Sequence, residues 1–307
     1  MRNRKIVLIL FKPTKKISLN TQYNDFYAYA EKKDILLCRA PIDAYNLKDK
    51  NFRQAQFFHN KKWLWKKDIT PDLIYDKSPF YLPEKLAKIR KIISSHYLFI
   101  NNLAFSKLLS DKWLTYKKLP AFSPKTILIE KKSDLKKIQT LSSEKIILKP
   151  LWGSGGKGIF ICLKNKPKEL RPPFIAQELI EVKRGLKGFV SGVHDLRIMI
   201  MGKTPFYSYL RLPKKNHLIS NLSQGGKIKV IPITKLPKFI FPFLNKIQKK
   251  LTSYGKNLYS VDLIIDDDKK PWIIELNSRP GLILEKEELP FREYFYDNLI
   301  NFFNKTI

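Results

Sequence analysis

The sequence predicts an α/β region followed by an α+β region, on three observations. Apolar strand-like runs alternate with helical patterns up to about residue 103. Beyond that point strand-like runs follow one another with few helices between them, as in antiparallel sheets. Near the C-terminus, two apolar runs within 259–276 flank the polar turn 266–270, which reads as a β-hairpin.

In the first region, residues 5–11 read as a buried strand. The start Met1-Arg2-Asn3-Arg4-Lys5 before Ile6–Phe11 imitates a signal peptide, but the apolar run is short and Lys12-Pro13-Thr14-Lys15-Lys16 follows it directly. A polar-aromatic helix over 20–32, strands at 35–38 and 73–75, and a helix over 83–95 opened by Pro83-Glu84 complete a parallel-sheet pattern. The Lys-rich stretch 47–71 carries no assignable pattern.

A helix from about 104 to Lys118 ends at Leu119-Pro120. Strand 126–130, helix 133–141, strand 145–149, a glycine loop, and strands 158–163 and 174–179 then form a small α+β unit. Strands 195–202, 205–212, 227–233 and the hairpin build a second antiparallel sheet, which helices 236–253 and 287–305 are expected to cover.

Composition narrows the function classes. A chain of 307 residues holds two or three subdomains. No apolar run reaches the ~18 residues of a membrane span. With only Cys38 and Cys162, a disulfide framework is not expected and cytoplasmic residence is the default. The net charge of +32 admits a polyanion or nucleic-acid surface. The lysines are nevertheless spread along the whole chain without an RNA- or DNA-binding motif, so compositional drift is favoured. Basicity still favours acidic substrates through steering.

Two segments carry chemistry. If the hairpin turn centres on Asp268 and Lys269, Asp262 lies directly across from Glu275, and Asn277 shares the face of Glu275. Facing carboxylates repel, and a divalent cation turns that cost into affinity. An oxygen-only trio suits Mg²⁺, which completes its shell with water and substrate phosphate. The plain alternative is a solvated acidic edge. The second segment, Ile146–Phe160, is a strand ending in Lys149, a turn rich in glycine, and another strand. Glycines let backbone N–H groups approach phosphate oxygens. The order fits neither a Walker loop nor a dinucleotide fingerprint, and a flexible hairpin turn is the alternative.

Lys149-Pro-x-x-Gly-x-Gly-Gly-x-Gly-Ile, then Ile175–Ile180, then Asp195-Leu196-Arg197, then Asp262 with Glu275-Leu276-Asn277 is a joint pattern. It resembles the ATP-grasp superfamily, most closely the branch containing bacterial glutathione synthetase and the RimK-type ligases, over residues 104–284. The resemblance implies a pre-ATP-grasp α/β domain over 1–103, a central subdomain over 104–179 and a C-terminal subdomain with the metal site over 180–307. It implies that Lys112 and Lys149 bind nucleotide phosphates, and that Gly153, Ser154, Gly155 and Gly156 belong to a mobile loop over the triphosphate. Gln177, Glu178, Leu179 and Ile180 would meet adenine mostly through backbone atoms, and Asp195 would lie near the ribose. Arg197 and Arg211 would face the acyl phosphate, where guanidinium offsets developing charge. Asp262, Glu275 and Asn277 would hold Mg²⁺, as a pair of ions that Mn²⁺ can replace. Asn221, Gly225 and Gly226 resemble a substrate loop, and Arg279 is placed to bind an anionic substrate or to shield the acidic cluster. His194 reads as structural.

The implied activity is an ATP-dependent carboxylate–amine ligase acting on small-molecule or peptide substrates, with homo-oligomerisation allowed. A small-molecule kinase and a polyanion-binding protein are the alternatives. Trp152, Lys157 and the long hairpin turn depart from the family pattern.

Overall fold

The computed structural model describes residues 4–13, 23–33, 35–153, 155–213 and 226–307. The chain divides into two units. The first comprises residues 1–106, 254–258 and 279–307. Its parallel quartet is β1 (Lys5–Phe11), β2 (Ile35–Pro41), β6 (Leu73–Asp76) and β7 (Leu98–Ile100), with β1 between β2 and β6. These are continuous apolar runs, as strands buried on both faces require. One face packs Leu8, Leu10, Cys38, Ala40 and Ile74 against Ile93 of α2 (Glu84–His96). Cys38 is thus a packing residue. Helix α1 (Asn24–Glu31) buries Phe26, Tyr27 and Ala30.

The stretch 47–71 forms strands after all. The short strand β3 (Tyr45–Asn46) and the hairpin β4 (Asn51–His59)–β5 (Lys62–Ile69) add three antiparallel strands to the parallel quartet. The hairpin turns on Asn60 and Lys61, both left-handed at φ 48° and 62°. That backbone matches the strand twist. Helix α6 (Arg292–Asn304), expected over the C-terminal antiparallel sheet, belongs to this first unit instead. Its Tyr296 ring lies 4.9 Å from Phe26 and its Phe303 ring 5.9 Å from Tyr75.

The second unit comprises residues 107–253 and 259–278. Its first sheet has the order β10-β9-β11-β8, from β8 (Thr126–Ile129), β9 (Lys145–Pro150), β10 (Phe160–Leu163) and β11 (Phe174–Glu178). The helix expected at 133–141 is a 3₁₀ segment, Lys132–Thr140. The other sheet has the order β14-β13-β12-β15-β16. It is built from β12 (Asp195–Met201), β13 (Thr204–Leu212), β14 (Lys227–Val230), β15 (Leu258–Ile265) and β16 (Pro271–Asn277). Helix α5 (Ile240–Leu251) buries Ile240, Leu244, Ile247 and Leu251, which recur at helical spacing. Among the described residues no helix is long and apolar enough to cross a membrane.

The single helix expected over 104–118 is two helices, α3 (Leu103–Ser110) and α4 (Lys112–Lys118). Asp111 breaks the run. Its backbone is extended, and its Oδ1 accepts from the amides of Trp113 and Leu114, both at 2.9 Å. The carboxylate satisfies two amides that α4 leaves open at its N-terminus and complements the helix dipole. We expect Asp111→Ala to cost about 1 kcal/mol of stability. Urea unfolding checks this, and an unchanged midpoint would remove the cap from the account.

Candidate active site

The face of the five-stranded sheet gathers the charged residues. Asp195 of β12 pairs in register with Arg211 of β13, and Arg197 with Tyr209. Residues two apart share a face, so Asp195, Arg197 and Arg211 stand together. On the next strand, Asp262 of β15 lies opposite Glu275 of β16, as its spacing in the sequence predicts, and Ser260 lies opposite Asn277.

Asp262 is fully buried and is the hub. Arg197 grips it with two bonds, Nε to Oδ1 at 2.7 Å and Nη2 to Oδ2 at 2.6 Å. Arg211 Nη2 donates both to Asp262 Oδ2, at 2.5 Å, and to Asp195 Oδ2. Burial alone would push the Asp262 pKa up, but the two guanidiniums overcome it and hold the carboxyl below the usual range. Burial, joined by the like charge of Asp262, raises Asp195 to about 7, against the pull of Arg211. Asp195 Oδ1 is buried without a hydrogen-bond partner, which fits a carboxyl that readily holds a proton. Asp195, expected near the ribose, has one oxygen committed to Arg211.

The hairpin register holds for a reason absent from the sequence pattern. The turn is five residues long, since Ile265 faces Pro271, and a bulge restores the opposition of Asp262 and Glu275. Ile274 is the unpaired extra residue, and its carbonyl accepts from Lys149 Nζ at 3.2 Å. Lys149 also donates to Gln177 Oε1 at 2.8 Å. Gln177 Nε2 in turn donates to Thr126 Oγ1 at 2.8 Å, and that hydroxyl donates to the Pro124 carbonyl. Gln177, whose expected contact with adenine is mostly through its backbone, uses its side chain to orient Lys149. Burial lowers the Lys149 pKa to about 8, with Lys112 lowering it further and Glu275, Asp195 and Asp262 opposing.

Lys112 opens α4. Its Nζ donates to the Gly153 carbonyl at 2.9 Å and stands 3.9 Å from Glu275 Oε1. Its amide donates to the Leu151 carbonyl, and Trp152 Nε1 reaches Asp111 Oδ2 at 3.2 Å. The base of the glycine loop is thereby tied to the start of α4. Gly153, Gly155, Gly156 and Gly158 all have left-handed φ, between 69° and 113°. At Gly158 a Cβ would also meet Pro150 Cγ at 2.9 Å. A small cavity, open to solvent, is lined by Lys112, Tyr116, Gln177, Ile274 and Glu275 among others.

The other expected residues are placed as follows. Glu178 and Leu179 donate their amides to the Lys125 and Lys145 carbonyls, and Glu178 Oε1 accepts from the Ser142 amide. Ile180 follows them, and neither it nor Glu178 or Leu179 lines the cavity. Gly226 precedes β14. Ser154, Asn221 and Gly225 lie outside the described residues. Arg279 belongs to the first unit, where its Nη1 donates to the Ser78 carbonyl and burial lowers its pKa. His194 is fully buried, with Nδ1 on the Gly192 carbonyl at 3.0 Å. Sequence reading missed Asp111, Thr126 and the Ile274 carbonyl. Only Asp111 carried a signal, an N-cap residue type ahead of a helical run.

Comparison with known proteins agrees with this architecture. Residues 112–281 match the family model for the prokaryotic glutathione synthetase ATP-grasp domain, and the chain belongs to that ATP-grasp ligase family. Glutathione synthetase of Buchnera aphidicola subsp. Schizaphis graminum is 27% identical over 293 residues, covering 91% of this chain and 77% of that protein. A probable alpha-L-glutamate ligase of Pseudomonas putida is 28% identical over 153 residues, covering 47% of this chain and 46% of that protein. Several other curated relatives are likewise matched over less than half their length. Among solved structures, D-alanine–D-alanine ligase from Bacillus anthracis complexed with ATP aligns with TM-score 0.63 at 14% identity. The alignment covers 99% of this chain and 97% of that one, and it shows the shared fold.

The Lys149 relay generates a prediction. An ammonium binds phosphate and a neutral amine does not, so nucleotide affinity is expected to fall as pH rises through about 8. Gln177→Leu removes an acceptor of the charged form and should move that fall to lower pH. Calorimetric ADP binding between pH 6 and 9 reads the shift, and identical profiles for the two proteins would refute the relay.

Proposed function

We propose that the chain is an ATP-dependent carboxylate–amine ligase. ATP phosphorylates a substrate carboxylate, an amine attacks the acyl phosphate, and an amide, ADP and phosphate leave. The carrying observation is the convergence of Lys112, Lys149, Arg197 and Arg211 with Asp195, Asp262 and Glu275 within one unit. Such a set holds a polyphosphate and offsets charge developing in phosphoryl transfer, with no covalent protein nucleophile required. The substrates we propose are small-molecule or peptide acids and amines, with cytoplasmic residence. The two curated relatives named above, a glutathione synthetase and a probable glutamate ligase, support amide-forming chemistry.

The residues fit Mg²⁺. Asp262 is held ionised, Glu275 is only partly buried, and Asn277 follows on the same strand face. Among the described residues no three His, Cys, Asp or Glu side chains gather into a cage. Glu275 and Asn277 are only partly buried and would leave shell positions for water and phosphate oxygens, as Mg²⁺ prefers, while Asp262 would have to exchange a guanidinium bond for the ion. Bound there, Mg²⁺ would draw charge from the phosphates. Lys149 would orient the nucleotide from its fixed position. Arg197 and Arg211 would stabilise the transferring group, and the glycine loop would exclude water from the acyl phosphate.

Glu275→Gln keeps the shape of a partly exposed side chain, so the fold should survive while turnover falls roughly a hundredfold. Phosphate release during a screen of amino acids, dipeptides and γ-glutamylcysteine reads turnover, and hydroxylamine traps the acyl phosphate. ADP release with the true substrate but neither hydroxamate nor amide would overturn the ligase reading in favour of a kinase.

A further inference from the structure

We infer that the outer edge of β5 in the first unit binds an acidic, extended peptide segment as an added strand. Strand β5 pairs only with β4 among the described residues. At eight residues it is a long edge strand, and residues 62–68 are exposed on both faces apart from half-buried Trp63. Edge strands are usually short, bent or covered, because their open N–H and C=O groups recruit another chain. Here residues 62–67 pair with β4 in one continuous register, Asp68 alone leaving the ladder at φ 52°, and Trp63 anchors the strand. Trp63 donates to Asn24 Oδ1 at 3.1 Å, packs on Tyr27 and Phe58, and carries the Arg39 guanidinium over its ring at 3.9 Å. The strand is thus held in place while, among the described residues, its outer edge has no strand partner.

The side chains define the occupant. Lys61, Lys62, Lys66 and Lys67 flank the exposed apolar surfaces of Leu64, at 42% exposure, and Trp65, at 48%. Lysines alone would serve to repel a second copy of this strand, since like charges facing across an edge are destabilising. That repulsion excludes self-pairing and becomes attraction for Glu or Asp side chains. Exposed Leu64 and Trp65 do not serve repulsion; they offer apolar contact on both faces of an added strand. Nucleic acid would use the lysines and Trp65 but leave the amide row unpaired, so the open backbone favours a peptide.

The test uses the full chain and a blocked peptide of alternating Glu and Thr, matched to the eight residues of β5. A twin peptide N-methylated at every amide keeps the charge and loses the backbone donors. Calorimetry at fixed salt is expected to show binding that N-methylation weakens by about tenfold or more, because main-chain bonds supply the affinity in strand addition. Lys62→Glu/Lys67→Glu should weaken the unmodified peptide comparably. No binding, a smaller effect of N-methylation, or equal affinity for a length-matched oligothymidylate would each overturn the inference. The peptide pair decides on the native protein even if the variant fails to fold.

Discussion

The Asp262 carboxylate between two guanidiniums is the constraint on which the second unit depends. Taking three charged groups out of water costs several kcal/mol per ion, and only good geometry repays it. The bidentate bond from Arg197 and the shared Nη2 of Arg211 supply that geometry. Arg197 stands on β12, Arg211 on β13 and Asp262 on β15, so the cluster requires the order β13-β12-β15 in one register. A one-residue slip of any of these strands would turn its charge to the other face and leave a buried ion unpaired. Losing one partner of a buried pair costs about 3–5 kcal/mol, which is enough to select the register.

That register dictates what Glu275 and Lys149 do. With Asp262 fixed, Glu275 opposite it stands where a carboxylate is partly hydrated. The bulge at Ile274 then frees one carbonyl, and Lys149 of the other sheet takes it. A single ammonium thereby joins the two sheets of this unit. Its partners are neutral carbonyl oxygens, which can be exchanged for a phosphate at lower cost than a carboxylate could.

The residues differ in how much of this was legible. The opposition of Asp262 and Glu275 was expected from a turn centred between Asp268 and Lys269; the turn centres on Asp268, and the bulge at Ile274 restores the opposition. The bulge did not follow, since it trades one turn residue for one strand residue and leaves the apolar pattern intact. The β4–β5 hairpin escaped notice because its turn is Asn60-Lys61 rather than Asn-Gly, although both residues take the left-handed backbone. The apolar stripe of α6 announced a buried face, but a stripe does not say which layer it buries against. Phe26 and Tyr75 of the first unit decide that. The resemblance gave Gln177 a mostly backbone contact with adenine and said nothing of its side chain. Side-chain pairing across strands, here with Lys149 and Thr126, is invisible to motif spacing.

The chain's charge and the site's charge are separate matters. A net +32 would attract any polyanion, yet each cation of the site already has a protein acceptor. Lys112 holds the Gly153 carbonyl, Lys149 holds Gln177 and Ile274, and the arginines hold Asp262 and Asp195. On the proposed reading a ligand would enter by exchange and would have to match the positions of all four groups to repay the bonds it displaces. General basicity steers anions toward the chain, while exchange at pre-aimed donors selects among them. A field that attracts indiscriminately and a site that discriminates can thus coexist in one chain.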